Sequence, residues 1–106
     1  MEQPNLGYIE EIAGGDPTIV AQFVEIIKKE FPLELEQYHK LIGSKDSANA
    51  AALVHKLKHK ISILGLSEGY QLAVAHEDAL KNADFELSPK FVEVLETITL
   101  FLTPNK

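Results

Sequence analysis

The segment Val54-His55-Lys56-Leu57-Lys58-His59-Lys60-Ile61-Ser62 places two imidazoles four residues apart with three lysines interleaved. An accessible imidazole is a nucleophile at neutral pH, because its reference pKa of about 6.5 leaves it mostly unprotonated. It can take a phosphoryl group on one ring nitrogen. A lysine beside it would steady the charge spread over the phosphoryl oxygens. The chain has no cysteine, so a thiol nucleophile, a disulfide framework and a Cys-based zinc site are excluded. It has no P-loop, Gly-rich nucleotide loop or kinase signature set. The phosphoryl donor is therefore not expected to be ATP bound to this chain.

Helical geometry sharpens the choice of nucleophile. At about 100° per residue, His55 lies about 200° from both Leu53 and Leu57, on the side away from the core. Lys58 and His59, three and four residues on, flank His55 along that outward stripe. Ser62 continues the stripe, and the small residues Ala48, Ala51 and Ala52 precede it, leaving room for a partner to approach. His39 is expected on the surface without a task.

The elements that must position this stripe are also helical. Apolar residues recur at helical spacing nearly everywhere, without the strict alternation of a strand. The spacing predicts a short helix from Leu6 to Ala13, ended by Gly14-Gly15. Asp16 and Pro17 then supply a cap followed by proline at the first helical position. Val20, Phe23, Val24, Ile27, Phe31, Leu35, Tyr38 and Ile42 fall on one face of a long helix. Pro32 predicts a kink near Lys28, or else two helices meeting there. After a turn capped by Asp46 or Ser47, the histidine helix turns Ala50, Leu53, Leu57, Ile61 and Leu64 inward and stops at Gly65.

A further helix is predicted from Ser67 to Lys81, with Leu72, Ala75 (or Val74), Ala79 and Leu80 inward. Ser88 and Pro89 repeat the cap-then-proline start. The last helix turns Phe91, Val94, Leu95, Ile98 and Leu102 inward and is closed by Pro104. Four long amphipathic helices with short connections predict an all-α fold. The expected form is an up-down-up-down antiparallel four-helix bundle with a short extra N-terminal helix, as a single domain over residues 1–106.

Charge separates the site from the rest of the molecule. The formal net charge is −6, and all ten basic residues are lysine, which argues against nucleic acid as a partner. Yet Lys56, Lys58 and Lys60 make a local basic patch around His55, suited to an anionic group or an acidic pocket. Lys56 and Lys60 are expected mainly as a solvated face. No apolar run approaches the roughly 20 residues of a membrane span, and MEQPNLGYIEE lacks the n- and h-regions of a signal peptide. A soluble, cytoplasmic monomer is expected.

The run His55-Lys56-Leu57-Lys58, with Gly65 ten residues after the histidine, resembles the histidine phosphotransfer (HPt) domains of bacterial multistep phosphorelays. Ile12-Ala13-Gly14-Gly15-Asp16-Pro17 and Phe31-Pro32 carry the same resemblance, which spans roughly Leu6 to Leu102. It implies a four-helix bundle whose exposed histidine accepts phosphate from a receiver-domain aspartate and passes it to another receiver. By that match His55 is the phosphoacceptor and Lys58 the phosphate-steadying cation. The chain would be a phosphocarrier rather than an enzyme, without an ATP site or cofactor, and the receiver would bring Mg²⁺. Docking would use the histidine face, including Ala51 and Lys56, with apolar residues of the first helix such as Leu6, Ile9 and Ile12.

Two departures from the family pattern stand out. His59 occupies the place where the family usually has glycine, and Ser62 lies one turn further on; both are candidate modulators. Some members orient the imidazole with an amide from the following helix, where the candidates here are His76 and Glu77. A carboxylate in that role would hold one tautomer and raise ring basicity. Two rival readings are a receiver-docking module without phosphotransfer and a metal site using His55 and His59, with Glu77 or His76 as a third ligand. Against the metal, Lys56 stands where the zincin pattern has glutamate, and three lysines disfavour a dication.

Overall fold

The structure is a computed structural model that describes residues 2–103. Pro104, expected to close the last helix, lies outside the described residues. Among the described residues there are five helices and no strand: α1 (Gly7–Ile12), α2 (Pro17–Gly43), α3 (Ser47–Ile63), α4 (Ser67–Lys81) and α5 (Ser88–Leu102). No helix among them is long and apolar enough to cross a membrane. The longest dimension, 42 Å, matches α2, whose 27 residues span about 40 Å at 1.5 Å each.

The expected start signals act at two helices and fail at a third. Asp16 Oδ1 accepts from the Thr18 N–H at 2.9 Å, with Pro17 opening α2. Asp46, rather than Ser47, caps α3 by accepting from the Asn49 N–H. Ser88 does not cap α5. It is the first helical residue, and its hydroxyl turns inward to lie 2.8 Å from the Tyr38 hydroxyl.

α2 continues through Pro32 as one helix, so the alternative of two helices is not what forms. Proline removes one ladder bond. Burial of Ile27 and Phe31 before it and Tyr38 after it holds both halves to the same core.

α3 is the central packing element, lying against α4 and α2, while α5 packs on α4 and α2 and α1 on α2. Its buried residues include Ala50, Leu53, Leu57, Ile61 and the following Leu64, all five of those expected. Gly65 ends the turn at φ 79°, a left-handed conformation that disfavours any residue with a Cβ. A Cβ there would also meet Asn5 Nδ2 at 2.6 Å. The N-terminal segment uses that space: the Asn5 N–H donates to the Leu64 carbonyl at 2.8 Å. Glu2 then caps α4, accepting from the N–H groups of Glu68 and Gly69 at 2.9 and 3.0 Å.

The inward face of α4 differs from its expected register. Ala73, His76, Glu77 and Leu80 are buried, whereas Val74 and Ala75 are exposed and Leu72 and Ala79 half-buried. Two polar residues take core positions, so apolar spacing alone misplaces the face. In α5, Phe91, Leu95, Ile98 and Leu102 are buried as expected, and Val94 is half-buried.

Candidate functional site

The packing of α3 on α4 brings His55 to Glu77. His55 sits on the outer side of α3, opposite buried Leu53 and Leu57, and its side chain is 56% exposed. Glu77 reaches over from α4, with Oε2 3.1 Å from His55 Nδ1. Burial alone would raise the Glu77 pKa. The hydrogen bonds and charges of Lys58 and His55 outweigh it and hold the carboxyl below its usual range. An ionised carboxylate only accepts, so the proton of this bond is on Nδ1. The neutral ring then carries its lone pair on Nε2, which has no hydrogen-bond partner among the described residues.

Glu77 collects cations on its other side. Lys58 Nζ lies 2.8 Å from Glu77 Oε1, and Lys81 Nζ lies 3.5 Å from Oε2. The hydrogen bond from Lys58 to Glu77 is also the main cause of the raised Lys58 pKa. Lys58 is therefore not the free cation that its place beside His55 suggests. Its ammonium is committed to the carboxylate that orients the imidazole. His55, Lys58, Val74, Glu77, Asp78 and Lys81 line a shallow groove between α3 and α4.

Lys60 is likewise not a solvated lysine. Its Nζ lies 2.9 Å from Glu30 Oε1 and 3.2 Å from Glu34 Oε1 on α2. Burial would lower its pKa, and the two glutamates reverse that and raise it. Two of the three lysines in the expected basic patch are thus neutralised by partners distant in sequence. Lys56 stays exposed and forms no ion pair among the described residues.

His59 is exposed and sets its ring perpendicular to that of His55, with centroids 5.5 Å apart. Ser62 is exposed one turn further along. Of the residues expected to dock a partner, Ile12 is 50% exposed and Leu6 is half-buried against the core. Ile9 and Ala51 are buried, at 0% and 3% exposure, and offer no surface to a partner. Ile9 is the residue through which α1 joins the core. Ala51 lies on the flank of α3 covered by its neighbours rather than on the outward stripe.

His76, the other candidate for orienting His55, has a different task. It is fully buried, and its Nε2 lies 2.7 Å from the Tyr38 hydroxyl, which also meets Ser88 Oγ. Its Nδ1 is buried without a hydrogen-bond partner. Among the described residues no three His, Asp or Glu side chains are grouped to hold a metal ion. Glu77, arguable as a third ligand, instead accepts from His55 Nδ1 and Lys58.

Sequence reasoning missed Lys81 and Glu2. Lys81 stands four residues after Glu77 on α4, a helical ion-pair spacing that could have revealed it. Glu2 had no local signal, because its partners lie 65 to 67 residues away.

The family model of the Hpt domain matches residues 22–101. That is most of the chain, and the chain belongs to the Hpt domain family. Membership implies histidine phosphotransfer within phosphorelays, in which Hpt domains act as phosphocarriers that interact with receiver domains. Neither the search of curated proteins nor that of solved structures returns a match.

Proposed function

We propose that His55 carries the phosphoryl group, accepting it from the aspartyl phosphate of one receiver domain and passing it to another. The observation that carries this reading is the 3.1 Å bond from His55 Nδ1 to Glu77 on an otherwise exposed ring. With Nδ1 holding the proton, the Nε2 lone pair attacks phosphorus. The P–O bond to the receiver aspartate breaks, and its electron pair leaves with the carboxylate. The positive charge that develops on the ring meets the ionised Glu77, already in place. Lys58 supports this as a positioning residue: it keeps Glu77 ionised and aimed. The phosphate-steadying role first expected of it would require Nζ to leave that carboxylate.

In this reading the receiver supplies Mg²⁺ and this chain needs no cofactor of its own. The chain works in the cytoplasm as a monomeric carrier, with its four long helices in up-down-up-down order. Docking centres on the groove at His55, with Val74, Lys56, Ile12 and Leu6 as candidate contacts. The experiment mixes the protein with a phosphorylated receiver and Mg²⁺ and assays acid-labile, base-stable phosphate on the chain. Wild type is expected to be labelled and His55→Gln unlabelled; equal labelling of the two would refute the assignment.

A further inference from the structure

We propose that His59 is the counter-ion of the phosphoryl group on His55, taking a proton from solvent when that group arrives and releasing it when the group leaves. The inference rests on His55 being the phosphoacceptor. Lys58 is held by Glu77 and Lys60 by Glu30 and Glu34, with side chains only 15% and 14% exposed. Lys81 is drawn to Glu77 as well. Lys58, Lys60 and Lys81 are therefore engaged by carboxylates that are already present, and of the four lysines around the site Lys56 alone forms no ion pair among the described residues. A phosphoryl group would bring new negative charge, whereas the three engaged lysines are already shared with Glu77, Glu30 and Glu34.

His59 is placed to meet it. It stands one helical turn after His55, on the same exposed stripe, with its ring 5.5 Å away at 90°. A phosphoryl oxygen on His55 needs to come within about 3 Å of a His59 nitrogen to accept a hydrogen bond, and ring rotation can cover the difference. The charged groups around His59 leave it this task. On α3 they are Lys56, Lys60 and His55; on α2 they are Glu30 and Glu34, both occupied by Lys60. On α4, Glu77 engages the far side of His55 and Lys58. Lys56 carries a permanent charge and cannot make the response depend on pH, whereas an imidazole can.

The consequence follows from linkage. The phosphorylated form binds more protons than the free form over the interval between the two His59 titration midpoints, at most about half a proton for a tenfold change in affinity. A state that binds more protons gains as pH falls. Phosphate is then retained on His55 more strongly at the acidic end of that interval and released to receivers more readily at the alkaline end. Glycine at this position would give no such dependence.

The test labels the protein with phosphoramidate, locates the phosphate by mass spectrometry and titrates the imidazole resonances of ¹⁵N-labelled protein before and after. The proton affinity of His59 is expected to rise about tenfold on phosphorylation of His55, the scale of a nearby dianion screened by water. An unmoved His59 midpoint with phosphate on His55 overturns the proposal and leaves the phosphoacceptor assignment intact. Phosphate on another residue overturns both. As a second readout, the transfer equilibrium with one phosphorylated receiver is followed from about pH 6 to pH 8. Wild type is expected to shift further toward phospho-His55 at low pH than His59→Gln or His59→Lys. Equal slopes for the three proteins contradict the proposal.

Discussion

Glu77 of α4 holds His55 of α3 by Nδ1 at 3.1 Å, while its other oxygen takes Lys58 at 2.8 Å. One buried carboxylate thus fixes the tautomer of an exposed imidazole and consumes the charge of its neighbouring lysine. The arrangement depends on α4 packing flush against α3. Gly69 allows that approach, since a Cβ there would come within 3.3 Å of Ile61 Cγ2 on α3 and 3.1 Å of Val94 Cγ1 on α5.

Removing the carboxylate should slow transfer without abolishing it. For Glu77→Ala we expect phosphoryl uptake from a receiver to fall about 10- to 100-fold, by analogy with the loss of a carboxylate that orients a metal-bound histidine. Glu77→Gln retains an accepting oxygen but loses the charge, and should fall between Ala and wild type. Stopped-flow uptake kinetics measure this, and rates for Glu77→Ala equal to wild type would remove Glu77 from the mechanism.

Lys58 acts through Glu77 in this account, and a double-mutant cycle can show it. Lys58→Ala should slow uptake in the wild-type background and add little once Glu77 is already alanine. Independent, additive losses would instead place the Lys58 ammonium directly on the phosphoryl group.

The helical architecture and the outward place of His55 were legible because both depend on local pattern. The stripe opposite Leu53 and Leu57 put His55 outward, and Asp16-Pro17 marked the start of α2. Long-range pairing was not legible. Nothing near Lys58 or Lys60 reveals that Glu77, Glu30 and Glu34 will neutralise them, because those partners come from α4 and α2. The face of α4 escapes apolar spacing for a related reason: His76 and Glu77 occupy buried positions that periodicity reserves for apolar residues. The burial of Ile9 is not legible either, because a six-residue helix shows too few turns to define which side it buries.

Buried His76 gives stability a pH dependence of definite sign. Burial lowers its pKa, so the folded protein holds it neutral while the unfolded chain protonates it at about 6.5. The unfolded state then binds more protons below that value. The contribution of His76 is fully present above the unfolded pKa and is lost as pH falls from there through the folded one. The urea midpoint should fall between about pH 7.5 and pH 5.5. His76→Gln, whose amide can still meet the Tyr38 hydroxyl, should flatten that fall; an unchanged slope would assign it to another group.

If Glu77 leaves Nε2 of His55 as the reacting nitrogen, the position of the N–P bond shows it. Long-range ¹H–¹⁵N correlation spectra of the phosphorylated protein identify which ring nitrogen carries phosphorus. The phosphoryl group is expected on Nε2 of His55, with Nδ1 still protonated toward Glu77. A phosphoryl group on Nδ1, or on any other residue, would contradict it.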